Sequence, residues 1–351
     1  MTAGDVPGRP LPRPGPDGFS AWELAEHYRF PAGLDGSGIS IAVIRLYGGF
    51  RRSDVQQYFA AAGRAAPAVD EVALGSEANN PVANPQANAE LVRDIEILGT
   101  AAPGARIAVY FAGNTEMGVA DGFASAIHDR ERQNSVICLT WEIPEADVSP
   151  MLASTVDNLI QSAVLMGKVV CAPAGSWGVN AALAPGFPGT SPWVLSCAAT
   201  RAVAGASGLI ERPVADGGLA PAASQRHERP QWQARTGRGL PRGISGRLVP
   251  DVSCLADDHG YRCHVNGNWT AVPGSGAAVC MWAGLIARLQ QAVGLPGLRV
   301  PHLYETLGPR GVLAAVEPGS AQARWSPSTG WGSPDGERLQ AALAKRGRRP
   351  R

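Results

Sequence analysis

The sequence predicts an α/β fold with a doubly wound, mostly parallel sheet and helices on both faces. Short apolar segments rich in β-branched residues alternate with longer segments of helical periodicity. Strands that are apolar throughout are typical of a parallel sheet covered by helices on both sides. At 351 residues, 45% of them hydrophobic, the chain can form one large domain or two ordinary ones, and no linker forces a split.

The individual elements follow from these patterns in chain order. Five apolar segments predict strands at Ile39–Arg45, Arg106–Phe111, Ser135–Trp141, Lys168–Ala172 and Trp193–Ala198. Apolar residues three and four apart predict helices at Ser53–Ala62, Ala89–Thr100, Met117–Arg130, Val148–Met166 and Ala277–Ala292. Ser53 and Asn88 are of the residue types that cap helix N-termini.

Two kinds of segment interrupt this alternation. The stretch from Ala202 to Pro250 is rich in Gly, Pro and Arg, and we expect long surface loops over the working edge of the sheet. Residues 1–20 are rich in Pro and Gly and predict a disordered tail, while residues 347–351 form a basic tail. Residues 21–346 lie between these tails.

Charge and cysteine content restrict partners and location. The formal net charge of +1 argues against nucleic acid or an anionic membrane as the main partner. The N-terminus carries Arg and Pro where a secretory signal needs an apolar core, and no long uncharged apolar run follows, so we expect a cytoplasmic protein. The six cysteines are far apart and most lie in apolar segments, which favours buried free thiols over disulfides or a metal site.

Two acidic residues are the first candidates for chemistry. Glu90 and Asp94 are four residues apart in a helical segment, so they differ by about 40° of rotation and project from one face. Two carboxylates held this close can share a proton, one acting as a base while the other orients it. By spacing alone the pattern equally fits a solvated helix face, with Arg93 and Glu96 beside it.

Two glycine-rich turns are further candidates. Gly274-Ser275-Gly276 leads into a long apolar helix, a common position for a nucleophile or an oxyanion site, although Ser275 could simply cap that helix. A second turn, residues 174–178, follows a buried strand at the sheet edge where α/β proteins bind ligands. The histidines are isolated in sequence, and no metal or cofactor site is predicted.

In this order the segments resemble the sedolisin family of serine-carboxyl peptidases, which have a subtilisin-like fold. The resemblance runs from about Ala21 to Leu343. It includes HYRFPAGLDGSGISIAVI, APGARIAVYFA, SVICLTW, FPGTSPWVLSCAATR, RPQWQ, RLVPDVSCLAD and STGWGSPDGERLQAAL. It implies one large domain with no room for the family's long N-terminal pro-segment.

The resemblance assigns roles to positions of this chain and marks several departures. Glu90 and Asp94 match the family's catalytic Glu and Asp. The nucleophile of Gly-Thr-Ser-Ala falls on Gly276, because Gly274-Ser275-Gly276-Ala277 aligns without gaps. The oxyanion Asp of Ala-Gly-Asp-x-Gly falls on Ser176.

Departures extend to the substrate-binding and calcium positions. The resemblance implies substrate contacts at Arg45, Trp141, Glu142, Trp177 and Gly274. Glu142 replaces the Gly of Ser-Trp-Gly, and Arg45, where some members have Glu, would pair with Glu90 and hold it ionised. The calcium positions fall on Ala314-Ala315 and on Gln322–Ser326; with both family carboxylates absent, we expect no bound calcium.

Three functional interpretations remain open at this point. The first is a catalytically inactive pseudo-peptidase that keeps its cleft to bind a peptide or protein partner. The second is an enzyme acting on a peptide through Glu90 and Asp94 with Ser275 or Ser176. The third is a structural partner protein whose interface lies in the region from Ala202 to Pro250, with the cleft closed by Trp177 and Arg45. Oligomeric state is not predicted.

Overall fold

An eight-stranded sheet forms the centre of the fold. The computed structural model describes residues 10–177, 183–206, 208–214, 222–236, 243–294, 297–316 and 323–345. The strand order is β10-β9-β6-β4-β1-β3-β2, with β13 pairing to β9. All of these pairings are parallel except β10 with β9. The predicted fold class, a mostly parallel α/β sheet within a single domain, is therefore confirmed.

Helices and strands alternate along the first half of the chain, and strands dominate the region before α6. The helices of the described residues are α1 (Ala21–His27), α2 (Arg52–Ala61), α3 (Pro85–Ala101), α4 (Glu116–His128), α5 (Pro150–Leu165), α6 (Gly276–Val293), α7 (Val300–His302) and α8 (Gly336–Ala344). The strands of the central sheet are β1 (Ser40–Arg45), β2 (Ala68–Ala73), β3 (Arg106–Phe111), β4 (Val136–Cys138), β6 (Val169–Pro173), β9 (Val194–Gly205), β10 (Gly208–Pro213) and β13 (Val252–Leu255). The smaller sheets contain β5 (Ile143–Pro144), β7 (Gly175–Trp177), β8 (Leu183–Phe187), β11 (Ala222–Glu228), β12 (Gly246–Val249), β14 (Tyr261–Val265) and β15 (Asn268–Val272).

The sheet is covered on both faces because its side chains alternate between two apolar cores. In β1, Ile41 and Val43 pack into the core that contains α3 and α6. Ala42 and Ile44 point the other way, into the core with α4 and α5. Successive residues of a strand point to opposite faces, so the four apolar residues 41–44 contribute to both cores, and all of β1 is buried.

Several predicted boundaries were wrong. α3 begins at Pro85 and is capped by Asn84, whose side chain accepts the N–H of Ala87, so Asn88 lies inside the helix. α2 begins at Arg52, and its N-cap position, Arg51, makes no side-chain capping bond. Proline is favoured in the first turn of a helix, so Pro85 marks the start of α3 better than Asn88 does.

The region from Ala202 to Pro250 contains strands where loops were predicted. β9 continues to Gly205 and turns back as antiparallel β10, while β11 pairs with β12. Residues 207, 215–221 and 237–242 of this stretch lie outside the described part. The edge strand β10 begins with Gly208 and ends with Pro213, residue types that an edge strand tolerates but that led to the prediction of a loop.

The predicted N-terminal tail is ordered in part. Residues 1–9 lie outside the described part, but Leu11 is buried and its N–H donates to the carbonyl of Leu209. Phe19 is also buried and bridges to Tyr261. The apolar side chains of Leu11 and Phe19 anchor this segment to the rest of the fold. The basic segment 347–351 lies outside the described residues.

Other expectations concern cysteines and membranes. All six cysteines are buried and free, as predicted from their apolar surroundings. Among the described residues, no helix is both long and apolar enough to span a membrane.

Candidate active site

The predicted catalytic residues meet where β1 and β4 end. Arg45 is the last residue of β1, and Thr140 follows two residues after β4. Glu90 and Asp94 project from α3 toward this edge, and α6 begins there at Gly276. Parallel strands bring their carboxyl ends to one edge, which explains why residues so far apart in sequence lie together.

Asp94 is completely buried and surrounded by donors. Its Oδ1 accepts hydrogen bonds from Arg93 Nε at 3.1 Å and Nη2 at 2.7 Å. Its Oδ2 accepts one from Thr140 Oγ1 at 2.6 Å and lies 3.7 Å from Arg45 Nη1. Two guanidinium groups and a hydroxyl thus satisfy the carboxylate, as a charge in the interior requires.

Glu90 occupies a different environment on the same helix face. Its side chain is 34% exposed, and its Oε2 lies 3.7 Å from Arg45 Nη2. Gln86 Nε2 donates to its Oε1 at 3.2 Å. Among the described hydrogen bonds none joins Glu90 to Asp94, and the sharing of a proton between the two carboxylates stays a prediction. The predicted pairing of Arg45 with Glu90 is present, and Arg45 also contacts Asp94.

Arg93 is the site residue that the sequence prediction missed. It was assigned to a solvated helix face, but its side chain is only 2% exposed. Burial lowers the pKa of Arg93, yet the adjacent Asp94 carboxylate outweighs burial, and the net shift is upward. The signal was available: apolar residues flank Arg93 and Asp94 on both sides in LVRDIEIL, so this part of α3 has no solvated face.

The Arg93 guanidinium lies against the glycines of the turn before α6. Its Nη1 donates to the carbonyl of Pro273. A Cβ built on Gly276 would lie 2.7 Å from Arg93 Nη2 and 2.8 Å from Thr140 Cβ. A Cβ on Gly274, which has a φ of +126°, would lie 2.6 Å from Arg93 Nη1. The space beside position 276 is therefore filled by the arginine and threonine that hold Asp94.

The remaining predicted site residues differ in their burial and in their contacts. Ser275 is half-buried and sits at the N-cap position of α6, but its side chain makes no capping hydrogen bond. Trp141 Nε1 donates to the carbonyl of Ile44 at 2.8 Å, and its ring packs edge-to-face on Phe123 at 6.4 Å. Trp141 is thus anchored in the fold. Glu142 is half-buried beside Gly186 of β8.

Ser176 and Trp177 lie in β7, which pairs with β8. Their side chains lie outside the described part, so the predicted oxyanion and cleft-filling roles stay predictions. Gly175 of the same strand is described and has a φ of +136°.

The positions that the resemblance assigns to calcium do not fit a hard cation. Ala314 exchanges backbone hydrogen bonds with Ser333, and neither Ala314 nor Ala315 offers a side-chain oxygen. Gln322 lies outside the described residues, and Trp325 is buried with its Nε1 donating to the carbonyl of Pro250. No group of three or more His, Cys, Asp or Glu side chains within the described ranges is arranged to hold a metal.

Comparison with known proteins relates this arrangement to peptidases. The chain is 36% identical to kumamolisin of Bacillus sp. (strain MN-32) over 93% of its length and 64% of the kumamolisin sequence. It is 26% identical to tripeptidyl-peptidase sed5 of Aspergillus fumigatus over 78% of its length and 53% of that sequence. The chain therefore spans between half and two thirds of the length of these two relatives.

The structural comparison agrees with the sequence comparison. Pseudomonas sedolisin, a serine-carboxyl proteinase solved in complex with pseudo-iodotyrostatin, superposes with a TM-score of 0.79 at 22% identity. That match covers 94% of this chain and 99% of the sedolisin chain. A scan against models of protein families finds no match. The chain is therefore similar in sequence to kumamolisin over most of its own length, and it shares its fold with sedolisin.

Proposed function

We propose that this chain has no serine peptidase activity and that the former catalytic site is a buried ion-pair network. The observation that carries the proposal is the position of Arg93, whose guanidinium fills the space beside Gly276 and binds Asp94. Removing the nucleophile of a serine peptidase costs on the order of 10⁶ in rate. A site that lacks the nucleophile and also the space for it has two independent obstacles to acyl transfer.

The contacts of the carboxylates also argue against the alternative of acid–base chemistry on a peptide. Asp94 is enclosed by Arg93, Thr140 and Arg45 and has no exposed surface. Glu90 is the partly exposed carboxylate, but Arg45 lies between it and the buried Asp94. A general base must lie within hydrogen-bond reach of the proton that it removes, and the donors that enclose Asp94 leave none of it exposed to a substrate.

Binding of a peptide or protein partner is proposed at the surface above this network. Glu90, Trp141 and Ser275 are each partly exposed there. Because Trp141 is anchored through Ile44, this surface is preorganised, which lowers the entropic cost of binding. The competing interpretation is a purely structural site, in which the contact between Arg45 and Glu90 closes the former cleft.

The decisive experiment is mass-spectrometric profiling of a peptide library incubated with the pure protein between pH 3 and pH 8. We expect no cleavage product by wild type, Glu90→Gln or Ser275→Ala. Cleavage that disappears in Glu90→Gln would overturn the proposal, and cleavage lost in Ser275→Ala would identify a displaced nucleophile.

The binding part is tested with a peptide library carrying photo-reactive groups. We expect crosslinks at residues 140–142 and 273–275 that weaken in Glu90→Lys. The matched control is Glu131→Lys, a charge reversal in the turn before β4 and hence at the opposite edge of the sheet. Crosslinks elsewhere, or equal effects of the two variants, would favour the closed structural site.

A further inference from the structure

A cavity of about 570 Å³ lies on the other side of α3 from the candidate active site. Asn88 lines this cavity, whereas Glu90, two residues later, faces Arg45. Two residues correspond to about 200° around a helix, so the two sites share α3 but not a surface. The volume of this cavity is within the range found for the binding sites of small molecules.

The walls of the cavity are fixed by two buried side chains in its floor. Asp54 accepts the N–H groups of Asn266 at 2.9 Å and Gly267 at 3.0 Å, which holds the β14–β15 turn to α2. Asn88 accepts the N–H of Gly49 and donates to the carbonyl of Pro81, both at 2.7 Å. Because these hydrogen bonds lie within the chain, the cavity keeps its shape without a bound molecule. Such preorganisation lowers the entropic cost of binding.

The groups available to a ligand are one cationic side chain and several neutral polar side chains that can donate or accept hydrogen bonds. Arg51 donates to Asn266 Oδ1, and its guanidinium has no carboxylate partner among the described residues. Ser53 and Gln57 line the same wall and are exposed. Among the described lining residues the one carboxylate is Asp54, which is already satisfied by backbone N–H groups and lies 3.6 Å from His264 Nδ1.

The opposite wall is apolar. Pro81, Val82 and Pro85 line it, and Val82 is 74% exposed. An exposed valine between two prolines is a preformed apolar surface whose burial would be favourable. The cavity therefore has a cation without a carboxylate partner on one side, within the described residues, and an apolar surface on the other.

We propose that this cavity binds a carboxylate attached to an apolar side chain, with the carboxylate on Arg51 and the side chain against Val82. A guanidinium pairs with a carboxylate through two parallel hydrogen bonds. Two sources supply this chemistry: a free N-acylated apolar amino acid, or the C-terminal residue of a peptide.

The test is titration calorimetry of the full chain with N-acetylleucine and with N-acetylleucinamide, which has the same body but no charge. We expect saturable binding of the acid with a Kd below about 1 mM. Binding should weaken at least about tenfold for the amide and for Arg51→Gln, because a charge-assisted bond is lost. N-acetylglycine, which lacks the side chain, should also bind more weakly.

The matched control is Arg52→Gln, which changes the adjacent arginine. Arg52 pairs with Glu71 at 2.7 Å and does not line the cavity, so this variant should bind the acid as wild type does. A tetrapeptide ending in leucine identifies the source: tighter binding than N-acetylleucine indicates a peptide C-terminus, and weaker binding indicates a free amino-acid derivative. Absence of saturable binding by both the acid and the tetrapeptide, or equal affinity for acid and amide, would overturn the proposal.

Discussion

Arginines on the two sides of α3 have opposite environments. On the side of the candidate active site, Arg93 and Arg45 are almost fully buried and paired with Asp94 and Glu90. On the other side, Arg51 is exposed and has no carboxylate partner among the described residues. The first arrangement uses its charges to hold the chain together, and the second leaves a charge available to a ligand.

This difference separates a site whose charges pair with one another from a cavity lined by an arginine that has no carboxylate partner among the described residues. A family likeness directs attention to Glu90 and Asp94, but the open cavity of about 570 Å³ lies at Arg51. Replacements at Arg93 and Gly276 test how firmly the two sides differ, and a replacement at Glu96 tests a third environment on the same helix; they follow in order of decreasing expected effect.

Replacing Arg93 by Met should have the largest effect. It removes the main partner of the buried Asp94 carboxylate, and we expect the free energy of unfolding to fall by about 3 kcal/mol. Urea unfolding measures the change. Arg51→Met, on the other side of α3, should change stability by no more than about 0.5 kcal/mol.

A second replacement checks the cause of that loss. Adding Asp94→Asn to Arg93→Met removes the unpaired charge and should recover part of the stability. Equal losses for the Arg93 and Arg51 variants would show that the two sides of α3 do not differ as described.

Gly276→Ser should have an intermediate effect. The new Cβ would meet Arg93 Nη2 and Thr140 Cβ below 3 Å, and overpacking of this kind costs about 1–3 kcal/mol. Gly33→Ser is the control, since nothing lies within 4 Å of a Cβ at that position.

The double variant Arg93→Met with Gly276→Ser tests whether the two residues share one space. If the guanidinium is what excludes a side chain at position 276, the double variant should lose less stability than the sum of the single changes. Strict additivity would contradict the packing described above.

Glu96→Gln should have the smallest effect and concerns a third carboxyl of α3. Glu96 is buried and pairs with no arginine among the described residues, and burial raises its pKa well above the usual value. Because the folded-state pKa is the higher of the two, unfolding releases a proton at a pH between the unfolded-state and folded-state values. Its destabilising contribution is absent below the unfolded-state pKa and grows as pH rises toward the folded-state pKa.

Thermal unfolding between pH 4 and pH 8 measures this dependence. We expect Glu96→Gln to flatten the decline of stability with rising pH, whereas Glu131→Gln, at an exposed carboxylate, should leave the decline unchanged. A decline of the same slope in both variants would mean that Glu96 is already ionised in the folded protein.

The strands were the most predictable part of the fold. Arg106–Phe111 is a strand with the bounds that were predicted, because its last five residues are all apolar and all buried. β9 is longer than predicted and β11 was missed, since both include polar or small residues whose pairing depends on neighbouring strands.

The proximity of Glu90 and Asp94 was predictable, but the part that Arg93 plays in the candidate site and the electrostatics of the two carboxylates were not. The spacing of Glu90 and Asp94 placed both on one helix face, as the structure has them. Their separation into an exposed and a buried carboxylate depends on Arg45, Arg93 and Thr140, which come from β1, α3 and the segment after β4.

The sequence by itself determined the α/β class, the burial of the cysteines and the likeness to the sedolisin family, because apolar periodicity and local motifs are properties of neighbouring residues. Only the tertiary structure decided that Arg93 occupies the space beside Gly276 and that Arg51, among the described residues, has no carboxylate partner beside its cavity. Both outcomes depend on which segments meet around α3, and the distances between segments far apart in the chain are set by packing rather than by spacing in the sequence.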